Sequence, residues 1–111
     1  MDYYVPIKEN KDFQRIYHRG KSYVSPVLVT YVLKNRSGTI RIGITTSKKT
    51  GNAVKRNRSR RVIREAFRML APQVKQGYDF IFVSRGKTPF VKCTDVFRAM
   101  AGQLKSAGVL K

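Results

Sequence analysis

Six acidic side chains, one histidine and one cysteine are the whole stock from which this chain of 111 residues could assemble a catalytic centre. Metal-assisted phosphodiester cleavage needs carboxylates gathered around the ions. The acids are Asp2, Glu9, Asp12, Glu65, Asp79 and Asp95, and no two form an Asp-x-Asp pair. Glu9 and Asp12 are the nearest, and at the start of a helical segment their charge serves the helix dipole. His18 stands alone, which rules out a two-histidine nuclease site within one chain; near the end of that helix it supports the dipole. Cys93 has no second thiol or imidazole with which to hold a metal and no adjacent base to activate it, so it reads as packing. The run "SRGK", Ser84 to Lys87, lacks the glycine spacing of a phosphate loop and reads as a basic exit from a strand. The chain carries no catalytic constellation of its own.

What it does carry is cationic. Lys and Arg number 24 against six Asp and Glu, a net charge of +18. "KRNRSRRVIREAF", Lys55 to Phe67, places six cations and one anion in thirteen residues. Such a run repels itself, so a partner outside the chain is expected to neutralise it. At 100° per residue the segment separates into two faces: Val62, Ile63, Ala66, Phe67, Met69 and Leu70 form an apolar arc, and Asn57, Arg60, Arg61, Arg64 and Arg68 lie opposite. An ordinary solvated face mixes signs at i,i+4, and here only Glu65 does so. Arginine predominates, and its planar fork suits phosphate. RNA or DNA is the expected partner. Lys48, Lys49, Gly51 and Asn52 lead into the helix and bring free backbone N–H groups to the same patch.

The elements that must hold these residues follow from periodicity and turn chemistry. The length predicts one domain, residues 1–111, with a core affordable without disulfides. "NKDFQRIYHRG" predicts a first helix with Asn10 as N-cap, Phe13, Ile16 and Tyr17 on one face, and Gly20 closing it in a left-handed conformation. Val27–Leu33 and Ile40–Thr46 read as strands joined by the turn "NRSG", hence as an antiparallel hairpin, with "SYVSP" supplying a short strand before them. A helix follows from Ala53 to Leu70, ended by Pro72. "YDFIFVS", Tyr78 to Ser84, is apolar enough to be a central strand buried on both faces. A last helix spans about Thr94 to Lys105, with Val96, Phe97, Met100, Ala101 and Leu104 on its inner face. The order α-β-β-β-α-β-α predicts an α/β (α+β) sandwich around a mixed sheet. No stretch is long and apolar enough for a membrane span, "MDYYVPIKENK" lacks the core of a signal peptide, and one cysteine fits a reducing compartment; the expectation is a cytoplasmic protein with no membrane partner.

The stretch "SKKTGNAVKRNRSRRVIREAF", Ser47 to Phe67, with Arg56, Asn57 and Arg58 at its centre, closely resembles the signature of the bacterial ribonuclease P protein subunit. "NKDFQRIYHRG" is similar to that family's first helix, and the resemblance covers nearly the whole chain. It implies a left-handed βαβ crossover, against the usual rule. It also implies the small protein of a ribonucleoprotein endoribonuclease that removes the 5′ leader of precursor tRNA. In such an enzyme the RNA subunit is catalytic and holds most of the Mg²⁺, and the protein has no cofactor of its own and no obligate protein partner. Carried over, the RNA subunit would meet Lys48, Lys49, Asn52, Lys55, Arg56, Asn57, Arg58, Arg60, Arg61, Arg64 and Arg68. The leader would lie against Phe13, Tyr17 and Tyr31. By residue pattern alone those three aromatics could equally pack the core, and a ribosomal-type RNA-binding protein without a role in cleavage would share the charge, size and fold style.

Overall fold

The computed structural model describes residues 4–111; Asp2 and the side chain of Lys48 lie outside the described residues. The elements are β1 (Tyr4–Pro6), α1 (Asn10–Arg19), β2 (Lys21–Val24), β3 (Leu28–Lys34), β4 (Ile40–Thr45), α2 (Ala53–Leu70), β5 (Tyr78–Ser84) and α3 (Cys93–Ser106), with single 3₁₀ turns at Lys48–Thr50, Ala71–Gln73 and Thr88–Phe90. The expected order holds behind one added strand. β1 is three residues long, too short for alternation to register. Its Pro6 is tolerable because Ile42 donates and accepts on either side of it, with Ile7 N–H meeting the Ile42 carbonyl at 2.7 Å. The missing N–H therefore faces away from the sheet, as edge strands allow.

The strands are ordered β1-β4-β5-β3-β2. This overturns the expected hairpin: β3 and β4 do not pair, because β5 lies between them, antiparallel to β3 and parallel to β4. The hairpin of this sheet is β2 with β3. Two strand spacings, roughly 9.6 Å, are too wide for a tight turn. The connector 35–39 spans them by straddling the start of β5. Asn35 N–H donates to the Gly77 carbonyl at 2.8 Å, and Gly77 N–H donates to Thr39 at 3.2 Å. Gly77 needs a φ of 91° to serve both.

The hand of the β4–α2–β5 crossover follows from chirality. The Ile42 side chain belongs to the core under α2 while its carbonyl points to β1. For an L-residue in a strand running upward with its side chain toward the viewer, the backbone polar groups point right. Seen from α2, β1 is then to the right of β4 and β5 to its left. A chain leaving β4, descending in front through α2 and rising in β5 moves left, which is a left-handed crossover, the rare hand for parallel strands.

Helices pack on both faces of the sheet, one face fully and the other in part. α2 and α3 seal one face, where Phe67 packs on Phe80 and Phe82 with ring centroids 6.0 and 5.4 Å apart. Truncating such a ring costs about 3–5 kcal/mol. Gln103 of α3 is buried there and fully occupied: Thr30 donates its hydroxyl to it, and it donates to the carbonyls of Tyr23 and Leu28. Met69, placed on the apolar arc by periodicity, is instead 50% exposed. Cys93 opens α3 half-buried against the Val62 carbonyl, in keeping with packing.

α1 covers the other face over Ile7, Ile81 and Leu33. Its ends depart from expectation. Asn10 is the first helical residue, and Glu9 precedes it as the cap without a side-chain bond. Asp12 does more than complement a dipole: it pairs with Arg15 and Arg41, which both reach the wholly buried Asp79, while Asn35 donates to the other Asp79 oxygen at 2.8 Å. Two carboxylates and two guanidiniums thereby tie the helix to β4 and β5. Gly20 is extended (φ −74°, ψ 158°), not left-handed. It is required for closeness instead, since a Cβ there would stand 2.5 Å from the Ile16 carbonyl oxygen and 3.1 Å from that of Val32. Both neighbours are backbone and cannot swing aside. Gly20→Ala should therefore destabilise the fold by about 1–3 kcal/mol; an unchanged denaturation midpoint would show that α1 docks less tightly than this.

Candidate nucleic-acid interface

α2 is an 18-residue helix begun by Asn52, whose side-chain oxygen accepts from Lys55 N–H at 3.0 Å. Its inner side is uniformly apolar and buried apart from Ser59, which is satisfied by the Lys55 carbonyl. The outer side is where the expected cations stand, and they fall into three groups. Arg60, Arg61 and Arg64 have no carboxylate partner among the described residues, Arg60 donating instead to the side-chain oxygen of exposed Asn57 at 3.4 Å. Arg56 and Arg58 are anchored by backbone carbonyls, those of Gly51 at 2.9 Å and Pro89 at 2.7 Å. Arg68 donates from one Nη to both carboxylate oxygens of Glu65. Anchoring leaves the charge in place and fixes its direction, which suits recognition of a rigid polyanion.

Lys55 lies over the Phe90 ring, 5.0 Å from its centre, and Phe90 is 70% exposed on a 3₁₀ turn stiffened by Pro89. An exposed aromatic ring among cations is the kind of surface on which an unpaired base can stack. Sequence reading passed it over, because an exposed Phe and a core Phe look alike until burial is known.

The aromatic trio meets on the α1 side of the sheet. Tyr17 and Tyr31 pack edge to face at 4.9 Å, Phe13 is 6.4 Å from Tyr17, and the Tyr17 hydroxyl lies 3.3 Å from that of Thr45. All three are half-buried. Phe13 is seated by Gly43, where a Cβ would come within 2.7 Å of its ring. Beyond Tyr31 the sheet is uncovered, because α1 is too short to reach across it. This leaves an open trough of about 480 Å³ floored by Val24, Val29 and Val83 and edged by Lys49 and Arg85. Lys49 therefore stands beside the aromatics, away from the outer arc of α2. Arg85, read earlier as a basic strand exit, is fixed over the trough by its bond to the Ser25 carbonyl.

The cationic and aromatic groups are contiguous. β1 pairs with β4 only from Ile40 to Ile42, so the rim of β4 beyond is open. Helices on opposite faces both reach that rim, and Arg60 and Arg64 share a groove of about 230 Å³ with Phe13, Gly43 and Ile44. No group of three or more potential metal ligands occurs among the described residues. The two carboxylates that do approach, Asp12 and Asp79, are matched by Arg15 and Arg41, so this donor set does not fit a divalent ion. No helix among the described residues is long and apolar enough to cross a membrane.

Residues 1–108 match the family model described as Ribonuclease P. The chain is 42% identical over 104 residues to the ribonuclease P protein component of Clostridium botulinum (strain Loch Maree / Type A3), covering 93% of this chain and 94% of that one. Among solved structures, the RNase P protein of Staphylococcus aureus superposes with a TM-score of 0.84 at 35% identity, covering both chains completely. That of Thermotoga maritima gives 0.81 at 28% identity, covering 91% of this chain and 96% of the other.

Charge reversal at Arg61 and Arg64 should leave stability within about 0.5 kcal/mol, as both lie off the apolar side. It should also lower affinity for a folded RNA and flatten its log–log salt dependence by about 0.7–0.9 per lost phosphate contact. Filter-binding isotherms across a salt series decide this, and an unaltered slope would make the outer side of α2 mere solvated surface.

Proposed function

The chain belongs to the ribonuclease P protein family, the protein component of an endoribonuclease that matures tRNA, and we propose how its surfaces divide that work. The outer side of α2, with Lys48, Asn52 and Lys55 through Arg68, binds the RNA subunit, while Lys49, first expected to join it, goes with the aromatic cleft. Phe13, Tyr17 and Tyr31 hold the 5′ leader of precursor tRNA. Half-buried rings offer edges and faces to unpaired bases without demanding a sequence, and the trough beyond them, edged by Lys49 and Arg85, accepts the strand's phosphates.

The observation that carries this reading is the continuity of the two surfaces around the open rim of β4. Phe13 borders the same groove as Arg60 and Arg64, so a strand stacked on α1 lies beside whatever RNA α2 holds. A ribosomal-type role would need no such half-exposed aromatic cleft. Bond cleavage, with Mg²⁺ as the metal, belongs to the RNA subunit on this reading. The protein's own residues bind and orient: the anchored Arg56 and Arg58 fix the RNA subunit's register, and the aromatic cleft draws the leader into line. The cellular setting that fits is the cytoplasm, where precursor tRNA is made.

Two experiments test the division. Protein freed of RNA should cleave no precursor tRNA in Mg²⁺ buffer, and reproducible leader removal by it would place chemistry in this chain after all. Tyr17→Ala and Tyr31→Ala should each weaken holoenzyme binding of leader-bearing tRNA by about 1–3 kcal/mol per lost stack, while leaderless tRNA and RNA-subunit affinity hold. Equal losses for both tRNAs, tracking a fall in melting temperature, would reduce these aromatics to packing.

A further inference from the structure

Five of the six phenylalanines are buried or half-buried, and Phe90 is not. It forgoes the burial that every other Phe of the chain obtains. Its exposure is built in. Phe90 ends the 3₁₀ turn Thr88–Phe90, whose other two residues are buried. The Thr88 hydroxyl donates to the Val27 carbonyl at 2.7 Å and accepts from Arg85 N–H at 2.8 Å. Phe90 N–H donates to the Lys87 carbonyl at 3.0 Å, and the Pro89 carbonyl accepts from Arg58 Nε at 2.7 Å. A buried hydroxyl, a proline and a guanidinium of α2 together fix the backbone that presents this ring.

The surroundings of the ring are cationic. Lys55 Nζ lies 5.0 Å from its centre. Arg58, tied to the neighbouring Pro89, also borders a hollow of about 420 Å³ with Val54, Asn57 and Arg61. Positions 54, 58 and 61 follow one stripe of α2 at i, i+4 and i+7, so Arg58 stands between the hollow and the turn. No carboxylate lines the hollow, and neither Lys55, Arg58 nor Arg61 has a carboxylate partner among the described residues. The hollow shares no lining residue with the trough or with the groove at Phe13. An outward ring and three unneutralised cations on a rigid frame form a site whose ordering cost is largely met in the free protein.

We propose that Phe90 is a stacking platform for one unpaired nucleobase of the RNA subunit, with the adjoining phosphates on Lys55, Arg58 and Arg61. The inference rests on reading the outer side of α2 as the RNA-subunit face, and it adds a contact of a different kind. Cations meet phosphates that are alike along a strand, so they hold RNA without choosing where along it. A ring needs a base whose face is free, which only a loop, bulge or junction offers. Phe90 therefore sets the register in which α2 engages its RNA. The RNA subunit is the source rather than the leader, because the residues that touch the ring and its turn, Lys55 and Arg58, belong to α2.

Phe90→Leu keeps an apolar side chain and removes the stacking face, whereas Phe90→Trp keeps that face. The chain has no Trp, so the introduced indole is the only one and reports on its own contact. Each variant is titrated with the RNA subunit over a salt series, and each assembled holoenzyme with leader-bearing and leaderless tRNA. Phe90→Leu should weaken RNA-subunit binding by about 5- to 150-fold, the range for one lost stack. Its log–log salt slope should not change, since no phosphate contact is lost. Phe90→Trp should restore the affinity, and its fluorescence should be quenched when the RNA subunit binds. Melting temperatures should match wild type, and the assembled holoenzymes should bind both tRNAs equally well. Wild-type affinity in Phe90→Leu overturns the proposal, as does equal loss in both variants. So does a loss that tracks a lower melting temperature, which would make the ring a support of its turn, or one confined to leader-bearing tRNA. Charge reversal at Arg61 and Arg64 in the same series reports on the RNA-subunit face itself. A flattened slope there with an indifferent Phe90→Leu removes this inference alone, and an unaltered slope removes the reading beneath it.

Discussion

The molecule is organised around β5, a strand buried on both faces and paired along both edges. On one side Phe80 and Phe82 receive Phe67 and so seat the basic helix. On the other, Ile81 supports α1, and the buried Asp79 collects the two arginines that tie α1 to the sheet. Because β5 pushes β3 and β4 apart, the sheet is wide enough for α1 to cover only part of it. The uncovered part is the trough beside Tyr31.

α2 separates holding from binding within a single helix. Its apolar side contributes to stability through burial, which is indifferent to salt, whereas its cationic side adds a few tethers, such as Arg58 to the Pro89 carbonyl, and otherwise opposes the fold by self-repulsion. Anchors at the Gly51 and Pro89 carbonyls hold Arg56 and Arg58 in place without neutralising their charge. The free protein is therefore less stable than its core implies at low ionic strength, and a bound polyanion adds to its stability by linkage.

How much of this was legible in the sequence depends on the range of the interaction. α2 was readable end to end, from Ala53 to Leu70, because its amphipathic period and Pro72 are local signals. β5 was readable as central because burial on both faces leaves an unbroken apolar run. Its neighbours were not readable: a strand's own residues do not say which edges it will occupy, and the turn chemistry of Asn35 to Gly38 suits a wide connector as well as a hairpin. Gly20 was recognised as needed, but for the wrong reason: its φ is ordinary, and a Cβ is excluded by the Ile16 carbonyl of its own helix at 2.5 Å, with that of Val32 close behind at 3.1 Å. Among the site residues, the cations and aromatics were visible as types. The junction of Phe13 with Arg60 and Arg64, and the pairing of Asp12 with Asp79 through arginines, exist only once parallel strands bring distant segments together. The left-handed crossover came from family resemblance alone, as no pattern in the residues announces it.

The strand order has a temporal side. β5 is the last strand to be synthesised and the middle one in space. A chain growing from its N-terminus has completed four strands and its longest helix before the strand that unites them exists. In that interval β3 and β4 are open edges joined by a five-residue connector that can let them close on each other, and such closure would occupy the slot β5 needs. Nothing rewards the half-made chain for settling early, because Phe67 still lacks Phe80 and Phe82. Assembly of the sheet is thus deferred until β5 has been made, and the cleft cannot form before then.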